Sequence, residues 1–141
     1  MKKAKPVASY ARTWPRALFD CKSGKRLVVK ALPILSRPGV YVLYRDDTPY
    51  YVGQAKRLRS RLWSHASQPT SRYYHFWNYF SVFAVEDAKI RNLLESVLIA
   101  AMPTANGAKP RIRKEQLPMN LRKLLHRVLH QPLQLEPLKP E

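Results

Sequence analysis

With 141 residues, 45% of them apolar, and a net charge of +17, the chain is long enough to bury one hydrophobic core without staples and too apolar to be a wholly disordered polycation. A single cysteine, Cys21, excludes an intramolecular disulfide and a cysteine-rich zinc site, and the longest apolar run, Val97 to Met102, falls far short of the ~20 residues that span a membrane. No apolar stretch of secretory type follows the basic start, so the expectation is a soluble cytoplasmic protein without membrane contact, and a pI of about 10.4 asks for a polyanionic partner, nucleic acid first.

Residues 1–25 mix Lys, Arg, Pro and scattered aromatics without periodicity, which predicts a basic N-terminal arm with one short helix around Arg16 to Cys21. A single folded domain is expected over residues 26–130. Its apolar density rises through Leu27, Val28, Val29, Leu32 and Leu35 to the break at Arg37-Pro38-Gly39. Val40 to Tyr44 is β-branched and aromatic, and Tyr50-Tyr51-Val52-Gly53 follows the charged Arg45 to Pro49, the pattern of an antiparallel hairpin. Ala55, Leu58, Leu62 and Ala66 then form one helical stripe, with Arg57, Arg61 and His65 on a second stripe beside it. One face packs while the next presents nitrogen.

Phe76 to Val85 suits a third strand. Glu86 and Asp87 open a helix from about Ala88 to Met102, with acids at its positive end and Pro103 beyond its close. Lys109 to Lys114 is a basic connection. Residues 120–130 place Leu121, Leu124, Leu125, Val128 and Leu129 opposite Arg122, Lys123 and Arg127, an amphipathic helix expected to dock on the domain. His126 and His130 lie one turn apart on it, but no carboxylate accompanies them and they read as helix surface. The Pro-containing residues 131–141 are expected to form a disordered tail.

Of four glycines, two sit beside tyrosines in the hairpin: Gly39-Val40-Tyr41 and Tyr51-Val52-Gly53. Arg61 follows Tyr51 by ten residues, His65 lies one turn on, Glu95 interrupts an apolar helix, and Asn106 follows that helix. Singly, each has an ordinary reading: tyrosines belong in sheets, Arg61 and His65 suit a solvated helix face, helices carry exposed carboxylates, and Asn106-Gly107 suits a turn.

In this order and spacing, over roughly residues 38–110, the six positions resemble the GIY-YIG nuclease family, which includes excision-repair and intron-homing endonucleases. The resemblance implies a small α/β domain of α+β type, a three-stranded antiparallel sheet flanked by helices, here with an added C-terminal amphipathic helix. It also implies divalent-metal-dependent hydrolysis of DNA phosphodiester bonds at one concave face. On it, Tyr41 is the candidate general base, Tyr51 positions phosphate or water, Arg61 holds the scissile phosphate, His65 orients the water or bonds the phosphate, and Asn106 orders the site.

Glu95 is the expected ligand of a single Mg²⁺ or Mn²⁺, because a hard carboxylate oxygen suits an ion that keeps several waters, and the other acids lie in tails, turns or helix starts. Repair-type members commonly carry lysine after the second glycine, where this chain has Gln54, a neutral donor; Lys56 and Arg57 stand near enough in sequence to compensate. Candidate phosphate contacts outside the centre are Gln54, Lys56, Arg57, Arg59, Arg111, Arg113 and Lys114. With no room for a separate recognition domain, selection is expected through DNA shape, of branched, nicked or single-stranded structures, or through a protein partner supplying specificity. The competing expectations are a catalytically inactive nucleic-acid-binding module of the same fold and a basic RNA-associated protein.

Overall fold

The computed structural model describes residues 5–68, 76–106 and 109–130. Its centre is a four-stranded antiparallel sheet of β1 (Ser9–Pro15), β4 (Gly39–Arg45), β5 (Thr48–Ala55) and β6 (Tyr79–Ala84), in the spatial order β1-β6-β4-β5. A separate two-stranded ribbon joins β2 (Lys22–Ser23) to β3 (Arg26–Leu27). The α-helices are α1 (Leu58–Ser67), α2 (Ala88–Ala101) and α3 (Met119–His130), and short 3-10 turns cover Arg16–Asp20, Val28–Ala31 and Pro33–Ser36. No helix among the described residues is long and apolar enough to cross a membrane.

The hairpin forms as its composition demands. β4 is a near-continuous apolar run because helices cover both of its faces, and Val40, Tyr41, Val42 and Leu43 are all buried. It turns through Asp46 and Asp47 into β5, with Asp46 at φ 56°, and the Asn78 side chain ties this turn down by accepting from Asp46 N (2.7 Å) and donating to Asp46 Oδ1 (2.8 Å). On one face α1 buries Leu58 and Leu62 against Tyr41, Leu43, Phe19, Leu35, Trp77 and Phe80; on the other, Leu94, Leu98 and Ile99 of α2 cover Val40, Val42 and Val52. Asp87 caps α2, accepting from Lys89 N at 2.7 Å.

Three expectations are corrected. The sheet has four strands rather than three, because Ser9–Pro15, assigned by sequence to a basic arm, pairs with β6 through a bulge between Ala11 and Trp14, and Phe19 just beyond it enters the core. Residues 55–57 precede α1 rather than opening it: Ala55 is still paired with Gly39 in the sheet. The C-terminal helix forms but does not dock. Every residue from Met119 to His130 is exposed, since both sheet faces over β4 and β5 are already occupied by α1 and α2. The expected disordered tail, 131–141, lies outside the described residues.

Candidate active site

The six positions singled out by spacing come from β4, β5, α1, α2 and the segment after α2, and the fold brings all six to one pocket of about 250 Å³ at the β5 edge: Tyr41, Tyr51, Arg61, His65, Glu95 and Asn106 line it, with Gly53 and Gln54. β5 is an outer strand, so α1 on one face and α2 on the other can both reach past it. Side chains from opposite faces of the sheet thereby meet without passing through it.

Gly53 makes that meeting possible. It pairs with Tyr41 across the hairpin, and the Tyr41 ring lies over it: a Cβ there would run into the phenol oxygen, stand 2.5 Å from Tyr41 Cζ and 2.9 Å from Tyr51 Cε1. Any side chain at position 53 would push the phenol out of the pocket. Gly39 serves packing instead, since a Cβ would strike the Phe83 carbonyl oxygen on β6 and lie 2.9 Å from Leu58 Cδ1.

Tyr41 and His65 form the enclosed part. The phenol oxygen lies 2.8 Å from His65 Nε2, and with the imidazole in its Nδ1–H tautomer the hydroxyl donates to that nitrogen. Burial above all, then the neighbouring Tyr51 and Glu95, raise the Tyr41 phenol well above its ordinary range, while Arg61 pulls it the other way. Burial, and second the Arg61 guanidinium, push His65 down to about 4, so the ring is neutral near pH 7. His65 itself is held from behind. Its carbonyl accepts from Trp77 Nε1 (3.2 Å), Arg16 Nη2 donates to the carbonyl of Ala66 (2.8 Å), and that guanidinium stacks over the Trp77 ring.

His65 thus has its Nε2 against the Tyr41 hydroxyl, a partner its position on the helix did not reveal. Asn106 was expected to order the site, and it bonds the backbone of β5. Its Oδ1 accepts from Val52 N (2.9 Å), its Nδ2 donates to Val52 O (2.7 Å), and Ala105 N donates to Tyr50 O (2.8 Å). The chain after α2 thus runs along the outer side of β5, and the Asn106 side chain satisfies the backbone groups of the residue between Tyr51 and Gly53.

Arg61 is exposed and Glu95 half-buried, and neither makes an ion pair with a described residue, so both remain available to a ligand. Among the described residues there is no group of three His, Cys, Asp or Glu side chains able to cage a metal. One carboxylate in an open pocket fits a hydrated Mg²⁺ or Mn²⁺, and does not fit a zinc or two-metal centre. Of the outlying candidates, Gln54, Lys56 and Arg57 line a neighbouring cavity, Arg59 projects from α1, and Arg111, Arg113 and Lys114 lie in the exposed segment before α3. The last three are not part of this pocket. Gln54 Nε2 donates to Asn92 Oδ1 (2.7 Å), tying β5 to α2. Sequence reasoning missed Arg16 and Trp77 as supports of α1, and no local pattern marks either.

No family model matches the chain, and no curated protein matches it. Among solved structures it is similar to the GIY-YIG N-terminal endonuclease domain of UvrC from Thermotoga maritima bound to magnesium, with 28% identity over 52% of this chain and 90% of that one and a TM-score of 0.43. A point mutant of that domain bound to its catalytic divalent cation is 27% identical over 61% of this chain and 98% of that one, with a TM-score of 0.44.

Proposed function

We propose that the chain is a GIY-YIG-type endonuclease that uses one divalent metal ion to hydrolyse DNA phosphodiester bonds, selecting by structure more than by sequence. The observation that carries this reading is the convergence of two phenols, a guanidinium, an imidazole and a lone carboxylate on one pocket. Phosphodiester hydrolysis needs a proton acceptor for the attacking water and a cation for the charge that builds on phosphorus, and both are present.

Tyr41 does not act as a free phenolate, because burial holds its proton on. It works as a relay instead: as the water oxygen bonds to phosphorus, the water proton passes to the phenol oxygen while the phenol proton passes to His65 Nε2, 2.8 Å away. The bond to the leaving sugar oxygen breaks, and that oxygen takes its proton from solvent. Arg61 offers its forked donors to the equatorial oxygens. Its positive charge beside Tyr41 also favours proton loss from the phenol. Glu95 would hold the metal, which when bound supplies Lewis-acid stabilisation of the phosphate and leaving oxygen. Tyr51 packs against both Tyr41 and His65, with ring centroids 6.1 and 6.0 Å away, and positions the phosphate or water.

Labelled duplex, nicked, flap and fork oligonucleotides, incubated with the protein and Mg²⁺ or Mn²⁺ and then with chelator, test the reading. Metal-dependent cleavage that disappears in Glu95→Ala while binding survives is the expected result. Tight binding with no cut in any substrate would leave an inactive binding module, and a uniform preference for structured RNA would replace DNA as the partner.

A further inference from the structure

Beside the catalytic pocket, and sharing Gln54 and Arg61 with it, lies a larger cavity of about 580 Å³. Lys56 and Arg57, just before α1, line it together with Ser60 and Arg61 of α1 and Arg91 of α2. No acidic side chain lines it, and none of its four cations makes an ion pair with a described residue. Four unneutralised positive charges facing one concavity repel one another, and such an arrangement is relieved by a bound polyanion.

Arg91 differs from the rest. Its Nη1 donates to the carbonyls of Val85 (3.1 Å) and Glu86 (2.7 Å), so the guanidinium is half-buried and held in one place at the entry to α2. A guanidinium that is already ordered loses little side-chain entropy on gripping a ligand, whereas flexible Lys56 and Arg57 must lose theirs. The Gln54–Asn92 hydrogen bond fixes a side chain that lines both cavities. A strand whose scissile phosphate sits at Arg61 must therefore lead its next phosphate either outward to solvent or into this cleft, and the charge favours the cleft.

We propose that this cleft is a second phosphate subsite, which grips the nucleotide adjacent to the scissile phosphate in the strand being cut, with Arg91 as its fixed donor. The assignment of the strand rests on the nuclease reading above, but the test separates the two.

Binding is read by fluorescence anisotropy of labelled DNA across a salt series, without metal, in the full chain carrying Glu95→Gln. In that background Arg91→Gln is expected to weaken binding about tenfold and to flatten the slope of log affinity against log salt by about 0.9 for duplex DNA, the signature of one lost phosphate contact. Arg26→Gln, a charge-matched change on the β2–β3 ribbon, should leave the slope unchanged. An equal effect there would reduce the result to bulk charge and overturn the subsite.

Because Arg91 also anchors two carbonyls, Ser60→Glu provides a variant that leaves the anchor intact and sets a carboxylate in the cleft; it should weaken binding at least as much. Parental affinity in both variants overturns the proposal. A neutral methylphosphonate placed at the phosphate next to the cut should cost the parent about tenfold and Arg91→Gln nothing further. Additive losses at every phosphate would also overturn it. Flattened slopes in a protein that never cuts would sink the nuclease reading and leave the subsite standing; cleavage with unaltered binding in both variants would do the reverse.

Discussion

The candidate active-site pocket has an enclosed half and an open half, and the two carry different kinds of group. Tyr41 and His65 are 2% and 8% exposed, uncharged near neutral pH and bonded to one another, whereas Arg61 is exposed and Glu95 half-buried, and both are charged groups without an ion-pair partner among the described residues. The division follows from desolvation. Burial favours neutral partners that can pass a proton at short range, while charges that must meet a metal or phosphate are cheaper to keep near water until the ligand displaces it. On the proposed mechanism, the pocket would separate proton movement from charge stabilisation.

Removing the phenol oxygen strikes the enclosed half alone. Tyr41→Phe should lower the cleavage rate by about 10²–10⁴-fold with binding of DNA and of Mn²⁺ unchanged, because only the relay is lost. Single-turnover rates beside anisotropy and metal titrations would show this, and a variant retaining more than a third of the parental rate would remove Tyr41 from the relay. Arg61→Ala strikes the open half. A loss of about 10²–10³-fold is expected, accompanied by weaker binding, with Arg61→Lys recovering affinity better than rate because a lysine lacks the fork. If both variants lost rate and affinity together, the proposed separation would be wrong.

How far this was legible in the sequence differs between the same two halves. The hairpin, α1 and α2 were readable because a β-branched run and a 3.6-residue period are local properties, and the order of Tyr41, Tyr51, Arg61, His65, Glu95 and Asn106 pointed to six residues that line one pocket. What each residue does was not readable. That His65 faces Tyr41, and that Gly53 must be bare because a ring lies across it, depend on contacts between elements distant in the chain. β1 was missed for a related reason: Ser9–Pro15 lacks alternation, and the strand owes its existence to β6 and to a bulge at Thr13, whose amide donates to Ser81 Oγ. α3 shows the opposite error, since a clear apolar stripe announces a helix but says nothing of whether a surface is free to receive it. Arg91 stood hidden as one cation among 26 Lys and Arg residues.

The buried imidazole gives a smaller, pH-dependent effect. His65 titrates at about 4 in the folded chain against about 6.5 when unfolded, so between those values the unfolded chain binds more protons. Its contribution to stability is complete above pH 6.5 and is lost as the pH falls toward 4. Denaturant melts at pH 7 and pH 5 should show a larger loss in the parent than in His65→Gln, which keeps a polar partner for Tyr41 but does not titrate. Equal losses would mean that the ring is charged or solvated in the folded state, and the enclosed half would not be dry.

Asn106 is where the two halves meet, and its replacement should have the smallest effect. Among the described residues its amide bonds Val52, between the tyrosine and the glycine that shape the enclosed half, and it follows the helix that carries Glu95 on the open half. Asn106→Ala removes two hydrogen bonds at a sheet edge that water can partly replace, so about 1–2 kcal/mol of stability should be lost, visible as a melting temperature lower by several degrees. The cleavage rate should fall less than tenfold, with KM unchanged, because Tyr51 and Gly53 are loosened but not removed. Asn106→Asp keeps the acceptor for Val52 N but sets a carboxylate oxygen against the Val52 carbonyl in place of the donor, so it should melt no higher than alanine, with KM still unchanged. A direct phosphate contact would give another pattern: intact melting, a raised KM, and an aspartate worse than alanine because its charge repels the strand.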